Sequence, residues 1–214
     1  MTLLFNYYCK KGNIQQVKMM IENDPSCLNY ENHNGNNGWI IACIYGKTEI
    51  VKLIMENKNY DINQRSGRLE KAIEIACRRG HTEIVKLIVN DERFDCFHYY
   101  DYVNAARGGY TEIVKIIANT EKGLKRSFDL NQYCSYGFSG FSEACLYGRI
   151  STVKELLKHA NTFVVINDDR YPNEIKKLLG DYLKNPIAYR QQLALEEIMF
   201  LYYDIIFFNE NIFS

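Results

Sequence analysis

Apolar positions along the chain come in short clusters at helical spacing, separated by polar turns. Ile50, Val51, Ile54 and Met55 fall on one face of a helix, and Ile84, Val85, Ile88 and Val89 repeat the arrangement 34 residues later, with Lys52 and Lys86 pointing elsewhere. The window 42–54, ACIYGKTEIVKLI, and the window 76–88, ACRRGHTEIVKLI, share ten positions. Window 105–117, AARGGYTEIVKII, is a third copy, and windows 8–20 and 144–156 are weaker ones. The glycines of these windows, Gly12, Gly46, Gly80, Gly109 and Gly148, are separated by 34, 34, 29 and 39 residues. A second marker, CLN at 27–29, DIN at 61–63, DCF at 95–97 and DLN at 129–131, keeps the period of 34 without a break, so five residues are lost before the fourth glycine and regained after it.

Each unit predicts a short helix that carries an Ala-Cys pair and ends at Gly, where positive φ costs little. A second helix follows at once, with Thr48, Thr82 and Thr111 as its expected caps and Glu49, Glu83 and Glu112 in its first turn, favourable to the helix dipole. A helix pair of this size cannot bury its apolar face alone. Neighbouring units must stack into one continuous core, which predicts an all-α solenoid.

The 34-residue period, the Gly between helices, the TEIVKLI second helix and the Asp-Ile-Asn exit resemble the ankyrin repeat family over roughly residues 3–160, and more weakly to about 185. The family's Thr-Pro-Leu-His opening of the first helix reads Asn37-Gly38-Trp39-Ile40 and Ser139-Gly140-Phe141-Ser142 here. The resemblance implies an ankyrin solenoid of five to six helix-turn-helix units over 1–160, near 3–30, 36–63, 70–97, 100–131 and 138–160. Residues 161–214 then form a degenerate sixth repeat and a helical C-terminal cap. In the fourth unit, too few residues separate Phe97 from Ala105 for both a hairpin finger and a full first helix, which predicts a truncated finger. The gain over 118–129 is expected to lengthen the second helix or its exit loop. Pro172 suits a first helical position with Asp169 as a nearby cap, and Pro186 restarts a helix apolar on more than one face, a cap for the last repeat.

Family resemblance places partner contacts at hairpin tips and at the two positions before each Gly. Those positions are Lys10 and Lys11, then Ile44 and Tyr45, then Arg78 and Arg79. Arg107 follows in the fourth unit, and Leu146 and Tyr147 in the fifth. The mix of Arg and Tyr is one enriched at binding hot spots, and it implies a basic centre with aromatic flanks for an acidic segment of a protein partner. Hairpin-tip candidates are Asn34, Asn36, Arg65 and Arg68. The function implied is a non-catalytic interaction scaffold or adaptor. Tyr171-Pro172-Asn173-Glu174-Ile175 with Leu179, Tyr182 and Leu183 also resembles the opening of an F-box, which implies an alternative role as a ubiquitin-ligase substrate adaptor; a sixth repeat helix explains the same residues.

Other chemistry finds little footing. Cys9, Cys43, Cys77 and Cys145 hold one equivalent slot per unit, with Ala106 in the same slot, the pattern of small core residues rather than of a disulfide or metal set. His81 follows Cys77 by four residues, but no second ligand pair accompanies it, so no metal site or cofactor is expected. The chain has no G-x-S-x-G, no phosphate-binding Gly loop and no H-E-x-x-H, so no catalytic residue and no small-molecule substrate are expected.

In its 214 residues, 26 Lys and Arg balance 26 Asp and Glu, which argues against a continuous phosphate track and hence against nucleic acid. Seven cysteines with no secretory start predict a reducing, cytoplasmic compartment, and the longest apolar stretch, 198–208, falls short of a membrane span. The Asn-, Ile-, Lys- and Tyr-rich composition resembles that of the divergent ankyrin proteins of large DNA viruses, for which the compartment would be the host-cell cytoplasm.

Overall fold

A computed structural model of the chain describes residues 2–120, 139–158 and 169–195, and these are helical apart from their turns and fingers. Five helix pairs follow one another: α1 (Thr2–Lys11) and α2 (Ile14–Asn23), α3 (Gly38–Ile44) and α4 (Thr48–Met55), α5 (Ala72–Arg79) and α6 (Thr82–Asn90), α7 (Tyr99–Gly108) and α8 (Thr111–Asn119), α9 (Gly140–Leu146) and α10 (Ile150–Leu157). A further helix, α11 (Asn173–Lys184), comes next, and another runs over 186–195. First helices stack in the order α1, α3, α5, α7, α9, and second helices form a parallel outer row, α2, α4, α6, α8, α10. The expected ladder is present.

The core lies between the two rows. Ile50, Val51 and Ile54 of α4, Ile84, Val85 and Ile88 of α6, and Ile113, Val114 and Ile117 of α8 are buried on the face that the apolar spacing marks. Cys9, Cys43, Cys77, Ala106 and Cys145 are each 0% exposed, which fits a small residue packing helix on helix. Burial pushes the Cys9 and Cys145 thiols up to about 12, so these sulfurs are protonated, poorly nucleophilic packing groups.

The joint inside each unit differs from expectation. Thr48, Thr82 and Thr111 are first helical residues rather than caps; Lys47, His81 and Tyr110 precede the helices and make no side-chain cap. The backbone supplies the reason. Thr48 N–H donates to the Gly46 carbonyl at 3.1 Å, and the same bond recurs from Thr82 to Gly80 and from Thr111 to Gly109 at 3.0 Å. At the residue between, φ and ψ lie near −80° and 72°, an inverse γ-turn that satisfies the first N–H of the helix without a side chain. The residue between is thereby free to reach the previous unit. Lys47 covers Gly12, His81 covers Gly46, Tyr110 covers Gly80, Arg149 covers Gly109 and Pro172 covers Gly148. A β-carbon on Gly46 would come within 2.7 Å of the His81 ring, so space requires Gly there, and the five glycines have φ between 64° and 80°, so backbone favours Gly at each.

First helices open on side-chain caps where Thr-Pro is absent. Asn37 accepts from Ile40 N–H at 3.1 Å, and Ser139 from Ser142 N–H at 3.0 Å. Gly38 and Gly140 follow these caps because α3 and α9 approach the preceding first helix closely: a β-carbon on Gly38 would lie 2.5 Å from Phe5 Cε1, and one on Gly140 would collide with Tyr102.

Among the described residues two fingers project between units, over 30–37 and 62–71. Their tips touch through backbone, Gly67 N–H donating to the Gly35 carbonyl at 2.8 Å, and Leu69 turns the second tip at φ 62°. Between the third and fourth units the chain runs from Asp95 to His98 without such a finger, while α7 keeps a full ten residues, so the shortening falls on the finger alone. α8 ends at Asn119, as long as α6, so the second helix is not lengthened; the rest of the 118–129 gain lies outside the described residues.

Long-range polar staples fix the register. Arg93, after α6, donates to the Met55, Asn57 and Tyr60 carbonyls at 3.0, 2.9 and 3.1 Å and pairs with Asp91 at 2.7 Å, thereby capping the end of α4 one unit back. That guanidinium holds the Asp91 carboxyl down at about 2.

At the C-terminal end Pro172 is the residue before α11, not its first helical residue, and Asp169 is not the cap; its carbonyl accepts from Lys176 at 3.2 Å. Pro172 takes this place because it sits over Gly148, where each earlier joint residue sits over its own glycine. The 186–195 helix docks on α10 and α11. Leu193 is buried, Arg190 donates to the Leu157 carbonyl at 2.9 Å, and Tyr189 meets Tyr182 edge-on at 5.9 Å. Residues 161–168 of the expected sixth repeat and 196–214 of the expected cap lie outside the described residues.

Candidate functional site

The ends of the first helices and the inner side of the two fingers form a groove along units one to three, in two compartments. The first, about 340 Å³, lies between α1 and α3 and is walled by Leu3, Tyr7, Ile41, Ile44 and Tyr45. The finger residues Asn34 and Asn36 close its side, and Lys10 stands at its rim. The second, about 200 Å³, has Ile44 and Ile75 as its base and carries Arg68, Glu70, Arg78 and Arg79. Asn34, Asn36 and Ile44 line both compartments, so the two are continuous.

The structure therefore brings together Lys10, Ile44, Tyr45, Arg78 and Arg79 from three helix ends with Asn34, Asn36 and Arg68 from the fingers. Sequence spacing could not reveal Leu3, Tyr7 and Ile41, which come from helix faces rather than from the positions before Gly. Their signal was an apolar residue on the first-helix side opposite the Ala-Cys core. Leu3 is 77% exposed, Tyr7 51% and Tyr45 46%, large apolar area that the fold leaves uncovered.

The cations differ in what they face. Arg78 binds Glu70 through both carboxylate oxygens at 3.0 and 3.1 Å. Arg107 is paired with Glu143, itself buried, and its guanidinium lies 5.9 Å from the Tyr147 ring centre. Arg65 donates to the Leu69 carbonyl and lies 3.8 Å from Glu74, so it braces the second finger. Lys10 stands over the Tyr45 ring at 4.8 Å and Lys11 over Tyr7 at 5.8 Å. Among the described residues, no carboxylate lies within ion-pair distance of Arg68 or Arg79, both exposed.

Leu146 and Tyr147, at the end of α9, share the groove face in register two units beyond the second compartment; Tyr147 is 54% exposed. Tyr171, Ile175, Leu179 and Tyr182 are buried, Ile175 and Leu179 completely, while Pro172, Asn173, Glu174 and Leu183 of the F-box-like set reach the surface. His81 packs over Gly46, its Nε2 3.4 Å from the Ile44 carbonyl. Among the described residues no three His, Cys, Asp or Glu side chains form a metal-binding group, and no helix is long and apolar enough to cross a membrane.

Residues 5–99 match the family model of ankyrin repeats in three copies. Among curated proteins none matches the sequence. Of solved structures, the human ASB11 ankyrin repeat domain is similar at a TM-score of 0.64 and 16% identity, covering 83% of this chain and 82% of that one. That likeness speaks to the fold. Taken with the repeat match and the two stacked helix rows, it gives this chain the fold of an ankyrin-repeat solenoid, with three ankyrin repeats matched within residues 5–99.

Proposed function

We propose that the chain is a non-catalytic scaffold that holds a segment of a partner protein in the groove of units one to three. Ankyrin repeats are in general protein-interaction modules. The observation that carries the reading is the groove itself, an uncovered apolar trough flanked by Arg68 and Arg79 and built by three units and two fingers. α11 acts as the second helix of a sixth unit, and the 186–195 helix packs over it and α10. The F-box-like reading of 171–183 is the weaker one, because Tyr171, Ile175, Leu179 and Tyr182 are already packed within the array and only Pro172 and Leu183 of its apolar side chains stay exposed. Free thiols at Cys9, Cys43, Cys77 and Cys145 suit a reducing compartment such as the cytoplasm.

The test is affinity capture from lysate with the wild-type chain, with Tyr7→Ser/Tyr45→Ser, and with a control change on the outer row, Lys52→Ser/Lys86→Ser. A protein retained by wild type and control and lost from the groove variant is expected. Equal retention by all three would move the interaction off this face.

A further inference from the structure

The groove carries a marked local charge in a chain whose formal net charge is zero. Its two compartments are lined by Lys10, Arg68, Arg78 and Arg79 against one carboxylate, Glu70, and that carboxylate is taken by Arg78. Glu31, on the first finger, approaches Gly35 but does not line the groove. Lys10 is held at the rim by the Tyr45 ring, and Arg68 and Arg79 face the second compartment without carboxylate partners among the described residues.

Apolar and cationic features are separated in space. The first compartment is walled by Leu3, Tyr7, Ile41, Ile44 and Tyr45, and the second carries the guanidinium groups. Helices in contact lie about 8–10 Å apart, and an extended chain advances about 3.3 Å per residue, so neighbouring compartments are about three residues apart along a bound strand.

Resting on the scaffold reading above, we propose that the groove recognises an extended acidic peptide, with a large apolar side chain in the α1–α3 compartment and a carboxylate about three residues away on Arg68 and Arg79. The Asn34 and Asn36 side of the finger lies along the intervening backbone, where amide side chains can both donate and accept.

The test selects a displayed random peptide library on the full wild-type chain and on Arg68→Glu/Arg79→Glu, both first shown by circular dichroism to be helical and to melt cooperatively. The wild type is expected to enrich peptides pairing a large apolar residue with Asp or Glu, and the charge-reversed chain to enrich Lys or Arg in that place. A synthetic wild-type winner should bind the charge-reversed chain about tenfold more weakly, and also Tyr7→Ser/Tyr45→Ser.

Enrichment without acidic preference, the same winners on both chains, or no enrichment would overturn the proposal. So would a single-stranded uridine oligonucleotide binding wild type with loss in the charge-reversed chain while no peptide is enriched. Failure here with groove-dependent capture intact would mean a partner of other chemistry, whereas loss of both would remove the scaffold reading itself.

Discussion

Replacing Asp101 by Asn should make the solenoid more stable at neutral pH and flatten its dependence on pH. Asp101 sits in the first turn of α7, fully buried; one carboxylate oxygen accepts from His98 N–H at 2.6 Å, and the other is buried without a hydrogen-bond partner. Burial raises its pKa from 3.8 to about 8; the His98 N–H and Lys71 oppose the shift, and the negative fields of Glu74 and Asp95 add to it. In the folded chain the group is thus a neutral acid at neutral pH, and in the unfolded chain it is ionised.

Between the two pKa values the folded state holds one more proton, so stability falls as pH rises and the loss is complete only above the folded pKa. At about 1.4 kcal/mol per pH unit, wild type should lose on the order of 4 kcal/mol from this group between about pH 5 and about pH 8. Asn keeps the shape and the acceptor for His98 but cannot ionise, so Asp101→Asn should show none of this loss. Urea unfolding followed by circular dichroism from about pH 5 to about pH 9 isolates the group as the difference between the two chains, since all other titrations are shared. Parallel stability profiles, or an Asn chain less stable at every pH, would refute the argument.

Gly38→Ala should destabilise by about 1–3 kcal/mol, because its β-carbon would press on Phe5 and Cys9, and Phe5→Leu in the same chain should recover part of that loss in a double-mutant cycle. Arg93→Ala should cost about 2–3 kcal/mol in thermal or urea unfolding, and Arg93→Lys should not restore it, since an ammonium cannot span the three carbonyls beyond α4. The Asp91 partner adds a check of sign. Its depressed pKa means that its contribution is present above about pH 4 and lost as pH falls through about 2, so the Arg93→Ala chain should lose less in acid. Alkylation of the native chain at mildly alkaline pH, mapped by mass spectrometry, should label the half-buried Cys96 ahead of Cys9, Cys43, Cys77 and Cys145, whose reaction should wait for unfolding.

Much of the groove was legible residue by residue and little of it as a surface. The positions before each Gly lie on one face because the repeat is periodic, and the resemblance to ankyrin repeats marks that face for partner contact, so Lys10, Ile44, Tyr45 and Arg79 could be named from the sequence. That Arg107 meets a buried Glu143, 36 residues away, leaves no trace in local pattern, and neither does the pairing of Arg78 with Glu70 across the start of α5. A basic centre read as Arg78, Arg79 and Arg107 becomes Lys10, Arg68 and Arg79 once those pairings are counted. The expected caps shifted for a comparable reason: Thr beside a helix start suggests capping, but the turn closed by the preceding Gly carbonyl draws Thr into the helix as its first residue, and the residue before it packs on the unit before.

By itself the sequence determined the period, the order of the helices, the core face of each and the small-residue slot, because all of these follow from local chemistry repeated every 34 residues. It also placed the shortening in the fourth unit, through simple counting. Only the tertiary structure decided which charges remain free, which apolar side chains stay uncovered, and that Asp101 is a buried acid. Each of these depends on groups brought together from different units, by a stacking geometry that no single segment encodes.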